Sequence, residues 1–252
     1  MVASPNAAIN FNQADTFTAT SSITGAGNLN QLGTGTTILT GASSYTGTTT
    51  VAGGTSTLEV GTTGTLSGTT NVTVNGGTLL LEGNAQVNSI NTNSTLTTAA
   101  GSTLVMGASG SATRARTQGF TSLTLSGNTV IDFANLSGMS TLNLGKLLMN
   151  GNKLTIDNWN GTTYYGYYNS TGGTGQLTQL MDLSGLTQSE LNSISFYSGS
   201  TTSSGFLGTA IFSLTNPNEI IPVPEPTVVI SGLFLLGWLI AGAARGRKKL
   251  KS

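Results

Sequence analysis

The side chains able to do chemistry are few. The 252-residue chain has no histidine and no cysteine, and only nine acidic and nine basic residues. A Ser-His-Asp triad, a thiolate nucleophile, a disulfide and a Cys/His zinc site are therefore excluded. Carboxylates and aromatic rings remain. Glu59 and Glu82 lie in matching stretches of the repeat, Thr57-Leu58-Glu59-Val60-Gly61 and Leu79-Leu80-Leu81-Glu82-Gly83, and could stack on neighbouring coils, as could Asp132 and Asp157 in two later stretches. Paired carboxylates about 5–9.5 Å apart flank the bond cut by a glycosidase, so a polysaccharide lyase or hydrolase is one chemistry this pattern permits. No basic or metal-binding group accompanies them, and a repeat brings like residues together without chemistry. The expectation is a protein with no catalytic residue, no cofactor and no metal.

Trp159, Tyr164, Tyr165, Tyr167 and Tyr168 fall within ten residues, after 158 residues whose aromatics are Phe11, Phe17, Tyr45, Phe120 and Phe133. Exposed rings stack on apolar faces, which makes these five candidate carbohydrate contacts. The alternative is that they pack against the end of the body. Threonine offers a third possibility, an ice- or surface-binding ladder. Thr16-Phe17-Thr18, Thr34-Gly35-Thr36, Thr48-Thr49-Thr50 and Thr55-Ser56-Thr57 have the required alternation. These triplets do not recur once per repeat, so the ladder is expected to be broken.

The net charge of zero conceals a partition. Residues 1–226 carry all nine acids but only Arg114, Arg116, Lys146 and Lys153, while Arg245, Arg247, Lys248, Lys249 and Lys251 crowd the end. The body lacks the basic footprint of a nucleic-acid binder. Before the basic tail, Thr227–Ala244 runs 18 residues without a charge and includes Leu233, Leu236 and Trp238. As a helix it would be about 27 Å long, close to the roughly 30 Å of a bilayer's hydrocarbon core. A transmembrane helix over 227–244 is expected, with the basic tail in the cytoplasm and the body outside. Ahead of it, Val223-Pro224-Glu225-Pro226 should be extended and polyproline-like, because two prolines fix φ and remove donors.

A Val-Pro-Glu-Pro motif, an apolar helix and a short Arg/Lys tail, in that order, resemble the PEP-CTERM sorting signal of Gram-negative bacteria. The resemblance covers about residues 222–251. It implies processing by a membrane-embedded exosortase near Pro224–Pro226, passage through the inner membrane and delivery to the cell surface or extracellular matrix, together with exopolysaccharide and biofilm production. Exosortase, the membrane and exopolysaccharide are thus the implied partners. Residues 1–22 contain no basic residue and no apolar run, so the secretory signal of an exported protein is missing from them and is expected in frame upstream of Met1.

The elements that must position these groups are strands. From Ile23 to Trp159, short runs such as Thr37-Ile38-Leu39, Asn71-Val72-Thr73-Val74 and Leu123-Thr124-Leu125 alternate between Gly, Asn and Ser/Thr clusters, the pattern of half-buried strands. They recur at intervals of roughly 20–26 residues, the period of a solenoid. Coils stacked about 4.8 Å apart would put Val, Ile and Leu inside and Thr and Ser outside. Such a body stays soluble with few charges.

Within Ile23–Gly61, the succession Gly25-Ala26-Gly27-Asn28-Leu29, Gly35-Thr36-Thr37-Ile38-Leu39-Thr40-Gly41, Ser44-Tyr45-Thr46-Gly47, Thr48–Val51 and Leu58 resembles the autotransporter-associated β-strand repeat. That resemblance implies a right-handed parallel β-helix. No outer-membrane barrel follows, so the chain is not an autotransporter as such. Later, Leu186-Thr187-Gln188-Ser189-Glu190-Leu191 combines a capping box with a hydrophobic staple, which predicts a short helix ending near Ile194, with strands at Ser195–Tyr197 and Ala210–Leu214. A solenoid's last coil exposes an open edge, and 160–221 reads as its cap. This stretch resembles the C-terminal module of β-helical PEP-CTERM proteins.

The expected architecture is all-β: an N-terminal segment 1–22, a solenoid 23–159, a capping region 160–221 and a sorting signal 222–252. The expected role is structural or adhesive.

Overall fold

A computed structural model describes residues 2–4, 7–82, 88–107, 116–134, 140–159, 179–182, 186–198, 205–212 and 220–223. The chain is a β-solenoid. Each coil contributes one strand to a seven-stranded sheet and one to a ten-stranded sheet. The first sheet stacks Ala8–Phe11, Asn28–Gln31, Thr49–Val51, Asn71–Val74, Thr95–Thr98, Ser122–Leu125 and Leu147–Leu148, all parallel. The second stacks Thr16–Ala19, Thr36–Leu39, Thr57–Val60, Thr78–Leu81, Ser102–Met106, Thr129–Asp132 and Leu154–Asp157, also parallel. Shorter pairings along a third side join Val2–Ala3 to Thr24–Gly25 and Ala42–Ser43 to Thr65–Leu66, and align Arg116–Phe120, Ser140–Leu144 and Gln179–Asp182.

Alternation drives this arrangement. In Thr57–Val60 the leucine and valine are buried and the threonine and glutamate half-exposed, and Asn71–Val74 and Thr78–Leu81 follow the same pattern. Parallel pairing then aligns the inward residues into columns. Leu58, Leu79, Leu104, Ile131, Ile156 and Phe196 are successive register partners, and all are essentially fully buried. A second column across the core runs Val72, Leu96, Leu123, Leu147. Burial of these aliphatic side chains is the main favourable term, about 1.5–3 kcal/mol each against full exposure.

Polar residues in the columns bond to one another. The Thr37 hydroxyl donates to Gln31 Oε1 at 2.5 Å, and Gln31 Nε2 donates to the carbonyls of Gly33 and Gly35 at 3.0 Å each. Tyr45 is fully buried, with its hydroxyl 2.5 Å from that of Thr49.

The glycines of the repeat phrase mark close approaches. A Cβ on Gly35 would lie 2.0 Å from the Asp15 carbonyl oxygen, and one on Gly47 2.2 Å from that of Gly27. The chain of one coil therefore rests directly on the backbone of the coil before it.

Two boundaries differ from the expected ones. The stack begins before Ile23: Ile9 pairs with Leu29 and Phe17 with Thr37, so residues 8–19 form a coil. Nor does the sheet break at 159. Ile194–Tyr197 pairs in parallel with Leu154–Asp157, and Phe206–Phe212 and Ile220–Val223 then add in antiparallel fashion. That reversal ends the parallel stacking. The short helix is present as Gln188–Leu191 and stops earlier than Ile194. Its Thr187 Oγ1 accepts from the Glu190 backbone, and Glu190 Oε2 accepts from the Thr187 backbone at 2.8 Å and its hydroxyl at 2.7 Å. These two hydrogen bonds hold the Glu190 carboxyl below its usual range.

Candidate functional site

The carboxylates come together, but in a different register from the one the repeats suggested. Thr57 pairs with Thr78 and Glu59 with Leu80, so the glutamates are not register partners. A shift of two residues would align them and leave the same faces buried; the observed register instead stacks Leu79 on Leu58 and Leu81 on Val60. Glu82 follows the strand on the same outward side as Glu59, and the two carboxyls hydrogen-bond to each other. Burial first, then the hydrogen bond from Glu82 and its charge, push the Glu59 carboxyl up to about 7. Two carboxyls in hydrogen-bond contact share a proton. A glycosidase needs them about 5 Å apart or more, with space for the sugar between.

Asp132 and Asp157 are direct register partners. The Asp132 carboxylate accepts from the Ala134 backbone at 2.7 Å and from Asn158 Nδ2 at 2.7 Å. Ala134 and Asn158 both have left-handed backbones, with φ of 46° and 53°, so this carboxylate steadies two adjoining corners. Among the described residues no group of three or more acidic side chains could hold a metal ion.

The aromatic expectation needs correction at Trp159. It is 1% exposed, wedged edge-on between Phe133 at 5.7 Å and Phe196 at 4.9 Å between ring centroids. It packs in the core and offers no face to a sugar. The left-handed Asn158 turns the chain so that Trp159 points inward above Phe133. That backbone change has no clear mark in the sequence beyond asparagine's tolerance of positive φ. Tyr164, Tyr165, Tyr167 and Tyr168 lie outside the described residues.

Of the sorting motif, only Val223 is described. It closes the last strand, half-buried and paired with Thr209, beside Pro222 opposite Ala210. This is the edge strand of the sheet, where proline costs no ladder bond. Pro224, Glu225, Pro226, the apolar stretch 227–244 and the basic residues 245–251 lie outside the described residues. Among the described residues, no helix is long and apolar enough to cross a membrane.

The threonines depart most from expectation, because they do form ladders. Thr16, Thr36, Thr57, Thr78 and Thr103 are successive outward partners on the ten-stranded sheet. On the other sheet Asn10, Asn30, Thr50, Thr73, Thr97 and Thr124 are likewise consecutive. The triplets in the sequence concealed this because coils differ in length, their corners absorb the difference, and asparagine or serine takes some of the positions. No family model, curated protein or solved structure matches this chain.

Proposed function

We propose that this chain is a structural or adhesive β-solenoid, wound right-handed, that is exported and displayed at the cell surface or in an extracellular matrix. The observation that carries the structural role is the unbroken register of the two sheets. Each described coil is hydrogen-bonded to its neighbours, and the aligned columns fill the core. The result is a stiff rod with short, mostly uncharged side chains on its outside. Glu59 and Glu82 are used on one another and Asp132 on two corners, which favours a non-enzymatic role.

The export reading rests on the composition of the C-terminus. Residues 223–226, the uncharged 18-residue stretch and the basic end stand in the order that an exosortase would recognise. The last described strand ends at Val223, so cutting near Pro224–Pro226 would release the rod with its closing strands intact. Tyr164, Tyr165, Tyr167 and Tyr168 are the remaining candidates for contact with exopolysaccharide.

The test is the intact mass of the protein recovered from its native host, with and without the candidate sorting enzyme. Enzyme-dependent loss of everything beyond about Pro224–Pro226 supports the sorted, released rod. An uncut tail in both strains would instead make 227–244 a permanent anchor and remove the exosortase from the account.

A further inference from the structure

The two outer faces draw on the same threonine-rich composition but differ in order. On the ten-stranded sheet the threonine column stands beside one that runs Ile38, Glu59, Leu80, Val105, Asp132, a mixture of apolar and acidic groups. Five coils of the seven-stranded sheet have no such mixture. Next to the column Asn30, Thr50, Thr73, Thr97, Thr124 stands a second column: Asn28, Thr48, Asn71, Thr95, Ser122. Five successive coils thus each present two short neutral polar side chains, two residues apart. Composition alone would have made both faces alike.

The second column is held in place along the stack. Thr48 Oγ1 donates to Asn28 Oδ1 at 3.1 Å and Thr95 Oγ1 to Asn71 Oδ1 at 2.9 Å. In the first column, the hydroxyls of Thr50, Thr73, Thr97 and Thr124 have no hydrogen-bond partner among the described residues. Rows are about 4.8 Å apart, and residues two apart on a parallel strand are about 6.6 Å apart. The array therefore extends about 19 Å along the stack. No charge or aromatic ring lies within it. It ends where Lys146 and Leu148 follow Ser122 and Thr124 in register.

We infer that this face binds the surface of ice. Free hydroxyls at fixed spacing hold waters at that spacing. The threonine methyl groups between them limit how those waters can orient, because apolar surface restricts its first hydration shell. The backbone ladder fixes the array before binding, so little ordering entropy is lost on contact. Charged groups would bind their own hydration shells and disturb such a layer; the five-coil array has none. A polysaccharide ligand is less suited, because its apolar faces would need rings to stack on and the array offers none. The inference uses no part of the export argument and is tested separately from it.

The experiment is ice recrystallisation inhibition and incorporation into slowly grown ice. It uses the full chain in mild detergent against a detergent blank. Thr73→Lys and Thr97→Lys place charge in the middle of the array. Thr78→Lys places the same charge on the other sheet. Far-ultraviolet circular dichroism and melting confirm that each variant folds. The expected result is activity in the parent and in Thr78→Lys, with at least a tenfold higher concentration needed for Thr73→Lys and Thr97→Lys. An inactive parent would overturn the inference, as would an equal loss in Thr78→Lys. So would binding of the parent to microcrystalline cellulose or chitin without incorporation into ice.

Discussion

Replacing Glu59 by glutamine should remove a pH dependence from the stability of the solenoid. Glu59 is half-buried on the outer face, between Ile38 and Leu80 on the adjacent strands, and Glu82 is the ionisable group that meets it. Its carboxyl is raised from 4.5 to about 7 in the folded chain. The folded state thus keeps a proton that the unfolded state releases between those two values. Stability from this group is complete below pH 4.5, declines as pH rises to about 7 and is flat above. Fully transmitted, the rise would be worth roughly 3 kcal/mol. The side chain is only half-buried, so solvent screening reduces this to about 1 kcal/mol. Glutamine can still donate to Glu82 and has no proton to lose. Thermal melts of both proteins across pH 4.5–8 should coincide at the acid end. At pH 7.5 the variant should melt about 2–4 °C higher. Parallel curves, or a wild-type protein more stable than the variant at pH 7.5, would show that the carboxyls do not share a proton and that the outward pairing is wrong.

Two other substitutions probe the packing. Gly35→Ala places a methyl group 2.0 Å from the Asp15 carbonyl oxygen; backbone cannot yield as a side chain can, so urea unfolding should show a loss of about 1–3 kcal/mol. Trp159→Ala removes the ring between Phe133 and Phe196 and should cost about 3–5 kcal/mol. A cost under 1 kcal/mol in the same assay would put the indole outside the core.

Several features could be read directly from the chain because they depend on nearest neighbours. The alternation in Asn71–Val74 predicts the strand with those bounds. Thr187 and Glu190 predict a capping box three residues apart, and both of its bonds are present. The glycines of the repeat phrase were recognisable as a pattern, but the reason for them was not: Gly35 and Gly47 are required by the backbone of the coil beneath, which lies about twenty residues away. Trp159 was ambiguous in the sequence. Its place in an aromatic cluster left two readings open, a carbohydrate contact and packing against the end of the body. The second holds: after the left-handed Asn158 the indole is buried.

The sequence by itself determined the strand-rich, repetitive character of the body, its poverty in charge, the exclusion of histidine and cysteine chemistry, and the separate apolar and basic end. Those are properties of composition and of periods two and about twenty. Only the tertiary structure decided the register. It placed Glu59 against Leu80 rather than in line with Glu82, and it aligned Thr50, Thr73, Thr97 and Thr124 into one column. Corners of unequal length break the numerical period without breaking the stack. Core packing and the hydrogen-bond ladder, both long-range, select which residue of one coil meets which residue of the next.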